Sequence, residues 1–594
     1  MIKDRIEALR ELMRREGIAA CIFPSTDPHN SEYVADHWKG REWISGFNGS
    51  AGTAVVTMRS AALWTDSRYF IAAAQQLEGS EFVLMKEKID GTPTIAEWIG
   101  REVLAEGGST EVAIDGWCAS EASVKALRDD LRRHGGLTLR TNLDPLGRIW
   151  TDRPPLPLNK VEIQPMEYAG EAAADKLKRL RRRLHEEHHA DGLLVAALDD
   201  IAWLLNLRGS DIHCNPVFVA YLLIASDRAT LYVDHRKITA EVEVYLRGQG
   251  VLTDDYNRVG DGLKDYFEYT ILLDPDEVNT VLYHKPERPK IISATSPVAA
   301  MKAVKNPFEI EGFRGAMLRD GVAMVKFLSQ LDEMVAEGTL TEIGVDKTLT
   351  RLRAMQPLYK GLSFDTIAAY GAHAAIVHYE ATPETDVCIE PCGMILIDSG
   401  AQYQDGTTDI TRTIALGPLS EEERLAYTLV LKGHIQLQML KFPKGASGTQ
   451  LDAIARHDMW SYGYNYLHGT GHGVGSYLNV HEGPHQIRME YRGAPLVAGM
   501  TVTDEPGIYA EDRFGVRIEN TLLVIPYKKT EFGEFLQFEP LTLCPIDTRP
   551  VITDMLTSEE ISWLNAYHAT VRERLLPHLT TVEQQWLNAA TAEI

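Results

Sequence analysis

The chain has 594 residues, 44% of them hydrophobic and 24% charged, with 84 acidic against 60 basic side chains and a formal charge of −24. That length exceeds what one hydrophobic core organises, so several domains are expected, in a composition ordinary for soluble globular proteins. The acidic balance argues against nucleic acid or an anionic membrane as the main partner.

No stretch approaches the ~20 apolar residues that a membrane span needs. The N-terminal MIKDRIEALRELMRREG is charged throughout and lacks the apolar core of a secretory signal. Six cysteines are scattered, and the near neighbours Cys388 and Cys392 have no second pair to complete a zinc motif. Reduced thiols in a cytoplasmic protein are therefore expected.

Along the chain, Ile6, Leu9, Leu12 and Met13 recur at helical spacing until Gly17 ends the helix. Ala19–Phe23 then reads as a buried strand, followed by strands at Ala51–Thr57 and Ala61–Thr65 that lead to Asp66. Strands and helices alternate to about residue 150, where TDRPPLPLNK marks a linker. A second unit of the same design opens with a helix over 171–189 and a strand over Gly192–Ala196.

Two segments repeat in order between these units. Ile44–Ser50 (ISGFNGS) is similar to Leu204–Ser210 (LLNLRGS), and LWTDSRYF around Asp66 is similar to LYVDHRKI around Asp234. The pattern predicts an internal duplication of one α/β domain. A third unit begins near Pro307 with a long amphipathic helix and a second helix over 340–355. Strands then dominate, broken by helices near 420–440 and 449–461, and the tail beyond 555 is helical and expected to pack back. The expected fold class is α/β (α+β), with domains over 1–150, 155–305 and 306–594.

The chemistry concentrates in the third unit. Asp398 follows the apolar run Met394–Ile397, and Asp409 comes past a turn at Asp405-Gly406, so a strand–turn–strand unit brings the two acids across from each other. Either aspartate alone would be unremarkable, since acids are common at strand ends and turns. His468 and His472 lie in the glycine-dense HGTGHGVG, whose glycines would let the backbone pass close to a crowded centre. His481 follows in NVHEGPH, and Glu505 precedes Pro506-Gly507. Glu519 lies in GVRIENTLLVI, where strand alternation places Arg517 on its face as support for a ligand carboxylate. His378, in AAIVHYE, is read as ending an apolar strand and as a candidate donor to substrate. Asp398, Asp409, His472, Glu505 and Glu519 together offer four carboxylates and one imidazole without a thiolate. Such a set suits two divalent cations rather than a structural zinc, and two cations would balance four acids.

This constellation resembles the metallopeptidases of the pita-bread fold, which include methionine aminopeptidase, prolidase and aminopeptidase P. Aspartate, aspartate eleven residues later, histidine, glutamate and glutamate is the order of that family's ligands. The stretches SGFNGSAGTAVV, LWTDSRYF, DSGAQYQDGTTDITRT and HGTGHGVG resemble the long, three-domain cytosolic members, with two creatinase-like N-terminal domains. The resemblance implies that Asp398 and Asp409 bind one metal, that Asp409 and Glu519 bridge, and that His472 and Glu505 complete the second. It implies Mn²⁺ as the metal and Glu505 as general base in hydrolysis of an N-terminal Xaa-Pro bond by a hydroxide that two metals activate. His378, His468 and His481 match the histidines that contact substrate, Arg517 a supporting arginine, and Tyr509 a further candidate. Peptides with proline second are the implied substrates, and a homodimer the implied assembly. Two alternatives stand beside it: a prolidase limited to dipeptides, and an inactive relative that binds peptides.

Overall fold

The computed structural model describes residues 2–266, 270–286 and 290–594. The chain divides into two compact units, Met1–Gln164 with Glu171–Val298, and Pro165–Gly170 with Ala299–Ile594.

The first unit contains two six-stranded sheets. One is built from β1 (Ala20–Pro24), β2 (Thr53–Thr57), β3 (Ala61–Thr65), β4 (Phe82–Lys86), β5 (Glu111–Ile114) and β6 (Thr138–Arg140), in the order β4-β3-β2-β1-β5-β6. The other is built from β7 (Gly192–Val195), β8 (Ala220–Ile224), β9 (Ala229–Val233), β10 (Val251–Asp254), β11 (Ile271–Leu273) and β12 (Ile291–Ser293), in the order β10-β9-β8-β7-β11-β12. Adding six to each strand of the first sheet reproduces the second. The orientations agree as well: β1 runs antiparallel to β2 and parallel to β5, as β7 does to β8 and β11.

Strand alternation explains why such apolar strands form. Cys21 and Phe23 face one core with Ile6, Leu9 and Met13 of the first helix, while Ala20 and Ile22 face the other with Trp98, Ile99, Val103, Val124 and Leu131. The repeated segments occupy equivalent places. The helix Gly40–Ser45 ends on Gly46 at φ 80°, and the helix Leu198–Leu205 ends on Asn206 at φ 49°. Both caps are left-handed, which glycine and asparagine tolerate best. Asp66 takes a two-pronged hydrogen bond from Arg68, and Asp234 takes the same from Arg236.

In the second unit the long helix is Pro307–Ala336, capped by Asn306 and Glu309 in a reciprocal box. Helices Glu421–Met439 and Gly448–Ser461 follow, and the tail forms Ser558–Leu575 and Thr581–Ala590. Leu564, Tyr567, Val571 and Leu575 of the tail join Val322, Leu429, Val430 and Ile435 in one core, so the tail is part of the unit. Strand Met394–Ser399 lies between Ile367–Tyr370 and Ile410–Ala415, both antiparallel to it.

Two local expectations need correction. His378 does not end a strand: residues 371–375 form a 3-10 turn and His378 follows in a loop turn. The strand predicted through Arg517 and Glu519 is broken, since Phe514–Arg517 and Asn520–Thr530 are separate and flank Ile518-Glu519. The break turns the chain between two sheets, which continuous alternation could not do.

Candidate metal centre

The hairpin from Met394 to Ala415 sets the first two acids. Asp398 pairs with Thr411 and Ser399 with Ile410, which leaves Asp409 one step past the last rung, beside Asp398. The two-residue pairing Gln402↔Thr407 and Tyr403↔Gly406 closes the excursion between them. Glu519, 1% exposed, is held at three points. Its backbone N–H donates to the Thr411 carbonyl at 3.1 Å, its carbonyl accepts from Arg412 at 2.6 Å, and Thr411 Oγ1 donates to its Oε2 at 2.8 Å.

His472 sits on the short strand Gly471–Gly473. A Cβ on Gly471 would lie 1.9 Å from the Thr503 carbonyl oxygen, so glycine is what lets this strand lie against Thr501–Asp504. The His472 backbone N–H donates to Thr503 Oγ1 at 3.1 Å, and Thr503 Oγ1 lies 3.3 Å from Glu505 Oε1. His472 Nδ1 lies 2.9 Å from the Gly473 carbonyl, which can only accept, so Nδ1 carries a proton and the neutral ring presents its lone pair at Nε2. That Nε2 is 3.4 Å from Asp409 Oδ2 and 3.5 Å from Glu505 Oε1. Asp409, His472 and Glu519 offer donor atoms that all lie within 4.8 Å of one another.

Arg517 gathers the rest. It donates through Nη2 to Asp398 Oδ2 at 2.7 Å, through Nη1 to the Tyr509 hydroxyl at 2.8 Å, and through Nη2 to the Val377 carbonyl beside His378 at 3.3 Å. The Tyr509 hydroxyl lies 2.8 Å from His468 Nε2, and His468 Nδ1 donates to the Gly469 carbonyl at 2.7 Å. The same lone-pair logic makes Tyr509 the donor to His468. The His481 ring lies edge-on to His472, with centroids 4.3 Å apart.

Electrostatics mark the cluster as short of positive charge. Burial and then the neighbouring Asp409 push Glu505 up to about 8. Burial followed by the charges of Asp409, Glu505 and Asp398 raises Glu519 well above the usual carboxylate range. Burial also raises Asp398, against the opposing pull of Arg517. Asp398 Oδ1 is buried without a hydrogen-bond partner among the described residues. Carboxylates crowded this closely cannot all ionise without added cations. The donor set is hard oxygen and nitrogen, so the residues fit divalent metal ions.

Several supports escaped the sequence reading. Thr411 and Thr503 each lie two residues from a candidate ligand that sits just off the end of the threonine's strand, and that spacing was the available signal. Asp452 and Arg456, four apart on one helix, form a buried ion pair, and Arg456 donates to the His468 carbonyl at 2.9 Å while Thr470 Oγ1 donates to Asp452.

Comparison with known proteins agrees with this geometry. A family model described as metallopeptidase family M24 matches residues 311–526, and the C-terminal region of that peptidase matches 534–594. Models of the creatinase/prolidase N-terminal domain match 5–139 and 152–309. The chain is 39% identical to aminopeptidase P1 of Arabidopsis thaliana over 100% of its length and 99% of the relative's. It is 42% identical to a probable Xaa-Pro aminopeptidase P of Talaromyces marneffei, covering 96% of this chain and 89% of that one. An X-prolyl aminopeptidase of Caenorhabditis elegans, described as a cytosolic enzyme with a di-nuclear active site, superposes with a TM-score of 0.95 at 36% identity, over the full length of both. An Xaa-Pro dipeptidase of Bacillus anthracis gives 0.50 at 26% identity, covering 63% of this chain and 99% of its own. Two creatinase-like domains precede a pita-bread catalytic domain, and the chain belongs to metallopeptidase family M24, in its full-length aminopeptidase P group.

Proposed function

We propose that the chain is a metal-dependent aminopeptidase that hydrolyses the first peptide bond of substrates with proline in second position. The convergence of Asp409, His472 and Glu519, with Asp398 and Glu505 beside them, carries this reading. These five side chains would hold two divalent ions, Mn²⁺ in this proposal, which when bound polarise a carbonyl and make water nucleophilic at neutral pH.

The chain's own groups do the remaining work. The Gly473 carbonyl keeps the His472 Nε2 lone pair aimed at the acids. Glu505 acts as general base, taking a proton from the attacking water and passing it to the departing proline nitrogen. His378, His468 and His481 orient the substrate in this proposal, and Tyr509, fixed by Arg517, sets the His468 ring. An Xaa-Pro nitrogen carries no hydrogen, so a site that works through the carbonyl suits it.

The duplicated N-terminal domain favours an aminopeptidase over a prolidase, because the dipeptidase of Bacillus anthracis covers only 63% of this chain. Peptide substrates, a homodimer, a cytoplasmic location, and no nucleic-acid or membrane partner belong to the same proposal. Cleavage of Gly-Pro-Gly and Arg-Pro-Pro as well as Gly-Pro, with two ions per chain by elemental analysis, is the expected result. Cleavage of Gly-Pro alone would make it a prolidase, and full activity in Asp409→Ala would end the metallopeptidase reading. Sedimentation velocity tests the dimer.

A further inference from the structure

Behind the acids lies a fully buried polar network that the proposed chemistry does not use. Arg412, 1% exposed, is three residues past Asp409. Its Nη1 donates to the Glu519 and Thr411 carbonyls at 2.6 and 2.9 Å. Its Nη2 is shared among Asn520 Oδ1, the Cys544 carbonyl and the Tyr567 hydroxyl at 2.9 to 3.0 Å, and its Nε donates to the Pro545 carbonyl at 3.0 Å. Every one of these acceptors is neutral. The network continues from Asn520 to Gln438, whose Nε2 donates to Asp504 Oδ2 at 2.9 Å. Asp504 and Asn520 are register partners on neighbouring strands, next in sequence to Glu505 and Glu519. One set of contacts thus ties the neighbours of three candidate ligands to Tyr567, on the tail helix Ser558–Leu575.

Burying a guanidinium without an acid beside it is costly for stability. Placing a rigid fork across two ligand-bearing segments serves geometry instead. We propose that Arg412 and Tyr567 are a positioning pair for the metal centre, through which the C-terminal helical segment holds the Asp409 and Glu519 segments at a fixed separation. The Tyr567 hydroxyl limits where Arg412 can swing, and it is held in turn by the Thr542 and Cys544 carbonyls, 2.9 and 3.0 Å away.

The inference rests on the metal-site reading, and its test separates the two. In the full-length protein, Tyr567→Phe removes the hydroxyl and leaves the ring stacked on Trp563. Competition of Mn²⁺ against a chromophoric chelator, which needs no turnover, should show affinity falling by about 10-fold, the low end for partners that orient metal ligands. kcat on an Xaa-Pro tripeptide should fall alongside, with KM unchanged. Trp563→Phe, which disturbs the packing but spares the hydroxyl, should lower Tm without either change. Should Tyr567→Phe fail to fold, Arg412→Lys, which keeps the charge and loses the fork, is expected to show the same loss of affinity. Wild-type affinity and kcat in the folded variant would overturn the pair's role while leaving the metal site intact. A wild type that binds no Mn²⁺ would overturn both.

Discussion

The acids of the two units have opposite surroundings. Asp66 and Asp234, at matching places in the duplicated domains, each have an arginine two residues away that forks onto the carboxylate. Burial alone would raise Asp66, but Arg68 outweighs it and holds the group below its ordinary value; Arg236 brings Asp234 down to about 2. In the catalytic unit, Asp398, Glu505 and Glu519 are all driven up by burial and by the neighbouring charge of Asp409, with Arg517 pulling Asp398 and Glu505 the other way. Charge satisfied within two residues of sequence makes a rigid turn. Charge left unsatisfied until distant segments converge makes a place for a cation.

The strongest way to break this contrast is to remove a member of the convergent set. Asp409→Ala and His472→Ala should each lower kcat/KM by at least about 10²–10³-fold and reduce the bound metal, read by steady-state kinetics and elemental analysis. Unchanged metal content would show that the acids converge for another reason. His468→Ala should cost on the order of 10² in kcat while metal content stays at the wild-type level, since His468 touches Tyr509 rather than the acids.

Acid and base should separate the units with opposite sign once metal is chelated. In the metal-free folded state Glu505 keeps its proton up to about pH 8, whereas the unfolded chain releases it near 4.5. Raising the pH through that window therefore favours unfolding, by a few kcal/mol at most. Asp66 behaves oppositely: its contribution is present above its unfolded value of 3.8 and is lost as the pH falls through its lowered folded value. Hydrogen exchange read peptide by peptide should show the catalytic strands opening as chelated protein is taken from pH 5 to 8, with added Mn²⁺ cancelling the effect. Protection around β3 should weaken only on acidification. The smallest expected change is Asp66→Asn, which should cost about 1 kcal/mol by denaturant unfolding and leave peptidase activity intact. A large loss of activity there would show that the N-terminal pairs matter beyond their own turns.

Much of this was legible in the chain itself, for stated reasons. Ala61–Thr65 is a strand with the bounds its apolar run predicts, and the internal repeat reappears as one sheet order used twice. Turn chemistry between Asp398 and Asp409 was equally local and equally readable. The sequence puts His378 at the end of a strand where the chain turns, and Glu519 inside a strand that breaks at Ile518-Glu519, because apolar flanks resemble a strand even where the chain is turning between sheets. Arg412 gave no signal, since its meaning lies in carbonyls more than 100 residues away.

Sequence order and residue type alone determined the duplicated α/β domains and the choice of oxygen and nitrogen donors, because both follow from short-range patterning and side-chain chemistry. Only the tertiary structure decided that Arg517 serves Asp398 rather than Glu519, that Tyr509 sets His468, and that the tail reaches the back of the centre. Those are distances between segments that packing alone brings together, and a linear pattern does not encode which buried polar groups will meet.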